Sequence, residues 1–208
     1  MPTTITVTAY TFDELSDKAK DKARETFRHV NVGHDWWDFI FEDADTVAAL
    51  LGIDIDRHKG EPDIRFSGFG SQGDGASFTG TWTPKDAVKA AKAHAPADTD
   101  LHAIAAELQA VGLAPNVRAV ITRPHGHYVH EHTVTVDLED MDETTDTEPR
   151  YTAEQERAAA EALRGFMRWI YRQLSDAYYE LTDDPAVDET IRANEYLFTE
   201  DGKRAHTL

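Results

Sequence analysis

The sequence predicts an α+β fold, with a mainly antiparallel sheet of about five strands packed against long helices. Three observations carry that prediction. Residues 63–83 and 117–138 each hold two alternating apolar segments around a turn-rich stretch, the pattern of a β-hairpin. Residues 35–51 and 152–181 repeat apolar side chains every three or four positions, the spacing of a helix with one buried stripe. At 208 residues with 40% apolar content, the chain can bury a sizeable core, and one domain over residues 1–208 accounts for it.

Ile5 to Tyr10 alternates apolar and polar residues and reads as an N-terminal strand of the sheet. Ser16 or Asp13 then caps a helix running to about His29, whose many Lys, Arg and acidic residues make a solvated face. Asp35 caps the next helix, which Gly52 stops after Leu51. Its stripe comprises Trp37, Ile40, Phe41, Ala44, Val47, Ala48 and Leu51. The first hairpin pairs Asp63–Gly70 with Ala76–Thr83, followed by two Ala-rich helices at 85–94 and 98–111. The second pairs Val117–Arg123 with Tyr128–Leu138 around Pro124-His125-Gly126-His127. Residues 137–150 read as an acidic loop, and 151–208 as a helical part packed on the sheet. Within it, Thr152 caps a helix to about Leu181, Asp183 or Asp184 starts another ahead of Pro185, and Tyr196-Leu197-Phe198 packs back extended.

Composition narrows the function classes. The absence of cysteine excludes a disulfide framework, a thiolate metal site and a cysteine nucleophile. No stretch approaches the roughly 20 apolar residues of a membrane span, and the N-terminus lacks a signal-peptide pattern. The expectation is a soluble intracellular protein of a reducing cytoplasm. The formal net charge is −18, distributed as 12 acids against 7 bases in residues 1–60, 7 against 6 in 61–125, and 20 against 8 in 126–208. Such a field disfavours direct binding to nucleic acid or an anionic membrane, and favours a protein partner with a basic surface.

Four histidines, His125, His127, His130 and His132, crowd the second hairpin. On a strand, side chains two apart share a face, so His130 and His132, with His127, are the candidate ligands of a metal-dependent hydrolase. No third ligand is marked by spacing, and the main expectation is no metal and no cofactor. Gln72-Gly73-Asp74-Gly75 does not open a helix and lacks GxxxxGK[ST], which excludes a P-loop; a turn held by Asp74 and glycine fits it better. No catalytic residue emerges. Arg157, Arg164, Arg168 and Arg172 follow Glu154 and Glu161 along the long helix, which points to local ion pairs. Trp36 and Trp169 are core residues or, alternatively, interface anchors.

Asp35-Trp36-Trp37-Asp38, Phe66 to Ala76 (FSGFGSQGDGA), Phe166 to Tyr171 (FMRWIY) and Ile191 to Tyr196 (IRANEY) resemble segments of a family carried by tailed bacteriophages and prophages, some of whose members bear the label antitoxin. The resemblance runs from about Thr8 to Gly202 and implies a phage accessory protein. Acidic proteins of that kind include inhibitors of restriction and CRISPR systems, some of which imitate the charge of DNA. The resulting expectation is a non-enzymatic inhibitor of a host nucleic-acid-targeting defence, with Asp35, Asp38, Glu42, Asp45, Asp140, Asp142 and Glu143 as partner contacts. An antitoxin neutralising a basic toxin is the alternative within the binding class. Nothing in the sequence fixes an oligomeric state.

Overall fold

A computed structural model describes residues 8–124, 128–142 and 149–205. The described elements are α1 (Asp17–Phe27), α2 (Asp38–Leu51), β1 (Ile53–Ile55), β2 (Arg57–His58), β3 (Glu61–Pro62), β4 (Ile64–Ser67), β5 (Gly75–Phe78) and β6 (Gly80–Trp82). They continue with α3 (Val88–His94), α4 (Thr99–Ala110), β7 (Val117–Thr122), β8 (Thr135–Asp140), α5 (Ala153–Thr182) and α6 (Asp184–Ala193). The fold is α+β with antiparallel pairing throughout, as the sequence predicts.

The chain forms two compact units, residues 37–175 and, from both ends of the chain, 1–36 with 176–208. In the larger unit β1, β6, β7 and β8 make a four-stranded sheet in that order, with β2–β3 and β4–β5 as separate pairs. Alternation sets the inner face: Val117, Ala119 and Ile121 of β7 and Val136 and Leu138 of β8 are buried, while Asp137 and Glu139 point outward. In α5, Leu163, Phe166, Met167 and Ile170 are fully buried at helical spacing, and Phe166 meets Phe78 of β5 edge to face at 5.8 Å. Trp82 buries its ring, and its indole N–H donates to the Leu51 carbonyl at 3.1 Å.

Several starts and stops follow local chemistry. Ser16 accepts the Ala19 N–H, Asp183 accepts the Ala186 N–H, and Thr152 and Gln155 cap each other's backbone N–H groups. Gly52 ends α2 at φ +83°, where a β-carbon would fall 2.4 Å from the Thr83 carbonyl oxygen.

The sheet departs from the expected strand set. Residues 5–7 lie outside the described residues, and Tyr10 makes only an isolated bridge with Phe198; the outer strand beside β6 is Ile53–Ile55. The first hairpin forms from Ile64↔Phe78 to Ser67↔Gly75, but the chain then leaves it at Gly80 to join the main sheet. A side chain at Gly80 would strike the Asp54 carbonyl, so the crossing requires glycine. In the second hairpin, Glu131–Thr133 is a 3-10 turn rather than strand, because Thr133 Oγ1 donates to the His130 carbonyl and accepts the His130 N–H.

The smaller unit packs Phe12, Leu15, Ala19, Ala23 and Phe27 against Val187, Ile191 and Phe198. Arg24 crosses from α1 to α6 with two hydrogen bonds to Asp188, at 2.7 and 2.8 Å. Asp188 hydrogen bonding, against the cost of burial, holds the Arg24 guanidinium above its ordinary range.

Candidate functional site

The predicted acidic contacts fall into two environments. On α2, Asp38 and Glu42 are exposed one turn apart, and neither carboxylate has a hydrogen-bond or ion-pair partner among the described residues. Asp45, the next acid of the row, is already committed to Arg57 at 2.7 Å. Asp35 does not cap the helix: α2 begins at Asp38 with Trp37 as its N-cap, and Asp35 stands exposed ahead of it in the smaller unit. The expected four-residue row on one helix is therefore three residues, of which two are free.

Phe39 lies between these acids in sequence and is 60% exposed, although it belongs to a well-formed helix. It falls off the buried stripe Ile40, Ala44, Val47, Ala48 and Leu51, so the stripe pattern passes over it. An exposed ring with Glu42 and Asp43 at i+3 and i+4 is an apolar contact inside a negative rim. Asp43 itself faces His94 of α3 at 3.2 Å.

At the end of β8 the acids are held internally. Asn116 donates to both Asp140 and Asp142, each at 3.0 Å, and the Asp142 N–H donates to Asp140 at 3.0 Å. Arg150 adds ion pairs at 3.3 Å to Asp140 and 2.6 Å to Asp142. This arrangement ties the end of β8 to Asn116 and Arg150. Glu143 lies outside the described residues.

The histidine expectation changes for the same local reason as the hairpin. His130 and His132 do not sit two apart on a strand; His130 Nδ1 accepts the His132 N–H at 3.2 Å, which occupies one of its two nitrogens. His127 lies outside the described residues. Among those that are described, no group of three or more His, Asp or Glu is placed to hold a metal ion.

A shallow cleft of about 560 Å³ lies where the glycine-rich loop between β4 and β5 meets α4 and α5, with Asp74, Glu107, Glu131, Arg168 and Arg172 on its walls. Asp74 accepts the Gly70 and Ser71 N–H groups at 2.9 and 2.7 Å, which makes it the organiser of its own turn. The arginines are committed too, Arg168 to Glu161 at 2.7 Å and Arg172 to Asp100 at 2.5 Å. The expected pair of Glu161 with Arg164 is replaced by this longer one, and Arg164 Nε is buried without a hydrogen bond. Trp36 and Trp169 are 7% and 4% exposed, so both are interior residues; Trp169 donates to the Asp98 carboxylate that also caps α4.

Beneath the β4–β5 pair, Arg123 reaches Asp63 at 3.1 Å, Ser77 Oγ at 3.2 Å and two carbonyls. Burial raises the Asp63 pKa, but the Thr79 hydroxyl bond and the charges of Arg123 and Arg65 outweigh it and leave the group below the ordinary carboxylate range. For Arg123, burial dominates and lowers its pKa. This half-buried, fully engaged pair ties β4 and β5 to the end of β7.

The profile of a domain of unknown function, DUF8835, matches residues 36–184. The chain belongs to this family. The matched span includes α2, both hairpin regions and all of α5. No curated protein and no solved structure matches the chain. No helix among the described residues is long and apolar enough to cross a membrane.

Proposed function

We propose that this protein is a non-enzymatic binding protein that presents the N-terminal half of α2 to a basic surface on a partner protein. The observation that carries this reading is the pairing of an exposed aromatic ring, Phe39, with two unengaged carboxylates, Asp38 and Glu42. Rings at an interface supply apolar contact area, while surrounding charges steer the encounter and select the partner. A net charge of −18 directs that choice toward cationic surfaces.

The partner class that fits is a protein whose surface is built to hold a phosphate backbone. The resemblance to phage-carried proteins favours a component of a host defence that targets nucleic acid. Asp140 and Asp142 are already engaged by Asn116 and Arg150, which makes Asp38 and Glu42 the acids first at hand for a partner.

Affinity capture from a bacterial host lysate tests the reading, with the wild type compared to Asp38→Lys/Glu42→Lys. The expected result is a nucleic-acid-binding protein retained by the wild type, released by duplex DNA, and lost with the variant. Equal capture by both proteins, or a captured partner indifferent to DNA, overturns it. A single small basic protein in place of a defence component supports neutralisation of a toxin.

A further inference from the structure

α2 carries four acids and no base, and it packs beside α3. Between α3 and α4 runs an open groove of about 610 Å³, lined by Val88, Ala106 and Ala110 and edged by Lys89, Lys92 and Gln109, with one acid, Asp86, at its rim. Lys89 and Lys92 are exposed and have no ion-pair partner among the described residues. In a chain with 39 acids and 21 bases, two exposed lysines one turn apart give this apolar groove a local basic edge.

The complement of this groove is present on the same molecule. It requires a projecting apolar side chain flanked by two free carboxylates, and α2 presents Phe39 with Asp38 and Glu42. Among the described residues Phe39 is left uncovered, since Ile40 and Ala44 take the inward side of that helix. We infer that a second copy of this chain docks here, with Phe39 of one copy in the α3–α4 groove of the other and Asp38 and Glu42 against Lys89 and Lys92. Screening over about 8 Å at physiological salt confines the mutual repulsion of two −18 bodies, leaving the local pairing to act at contact. The association covers the face assigned above to the partner, so self-docking and partner capture exclude each other.

Sedimentation of the purified full chain from micromolar to millimolar concentration tests this without any partner. Two charge-reversed variants, Asp38→Lys/Glu42→Lys and Lys89→Glu/Lys92→Glu, change only exposed side chains, and unchanged melting curves verify that each is folded. The wild type should reach at least twice its 23.3 kDa mass with rising concentration. Each variant alone should remain monomeric, and an equimolar mixture of the two should associate again, since every reversed surface then meets its opposite. Phe39→Ala should weaken wild-type association about tenfold. A wild type that stays monomeric up to millimolar concentration overturns the inference. So does association that either variant retains alone, or a mixture that fails to restore it. Failure here leaves the partner reading intact, because that reading is scored by capture and DNA competition rather than by mass.

Discussion

Two acidic segments that look alike in sequence do different work in the fold. Among the described residues Asp38 and Glu42 on α2 meet no donor and flank an exposed ring, whereas Asp140 and Asp142 at the end of β8 share Asn116 and Arg150. The difference teaches that a negative charge becomes available for recognition only where the fold has not already matched it. Asp63 and Asp188 stand at the far end of this scale, as interior carboxylates each held by an arginine.

The largest effects should come from that interior end. Asp188→Ala removes the main partner of the half-buried Arg24, which keeps only Asp21 at 3.0 Å and Asp184 at 3.9 Å, and should cost about 2–3 kcal/mol, read by chemical denaturation and by faster amide exchange in α1 and α6. Asp63→Asn should cost about 2–3 kcal/mol at neutral pH by leaving Arg123 unpaired. Because the folded Asp63 pKa is depressed, its contribution is present above the ordinary carboxylate value of about 3.9 and is lost as pH falls through the folded value. The melting difference between wild type and Asp63→Asn should therefore shrink on acidification; a gap that widens instead contradicts the pairing.

Smaller losses sharpen the contrast at β8. Removing both carboxylates with Asp140→Ala/Asp142→Ala breaks hydrogen bonds to Asn116 and the pairs with Arg150, for about 1–2 kcal/mol. Asp45→Ala gives up one partly exposed pair with Arg57 and should cost well under about 1 kcal/mol by thermal melting. Asp38→Asn/Glu42→Gln should leave the melting temperature where it is, since no bond is lost.

What could be read from the sequence was mostly local. Ser16, Thr152 and Asp183 act as caps and Gly52 as a stop because each satisfies backbone groups within three or four residues of itself. The stripe Leu163, Phe166, Met167 and Ile170 is fixed by helical geometry alone. What escaped depends on residues far apart in the chain. Asn116 is 24 and 26 residues from the acids it holds, and Arg172 lies 72 residues from Asp100, so spacing could not separate engaged charges from free ones. The 3-10 turn at 131–133 escaped because one threonine, Thr133, bonds His130 twice and overrides the alternation on either side. Phe39 was legible in principle, as the aromatic residue of α2 that falls on the acidic side of the helix.

The most direct test of the account sets the two acidic segments side by side in one experiment, measuring melting temperature and partner capture for Asp38→Asn/Glu42→Gln and for Asp140→Asn/Asp142→Asn. The α2 variant should keep its melting temperature and lose capture, while the β8 variant should melt lower, by about 2–4 °C for each kcal/mol lost, and keep capture. Capture lost with the β8 variant and retained with the α2 variant would contradict it.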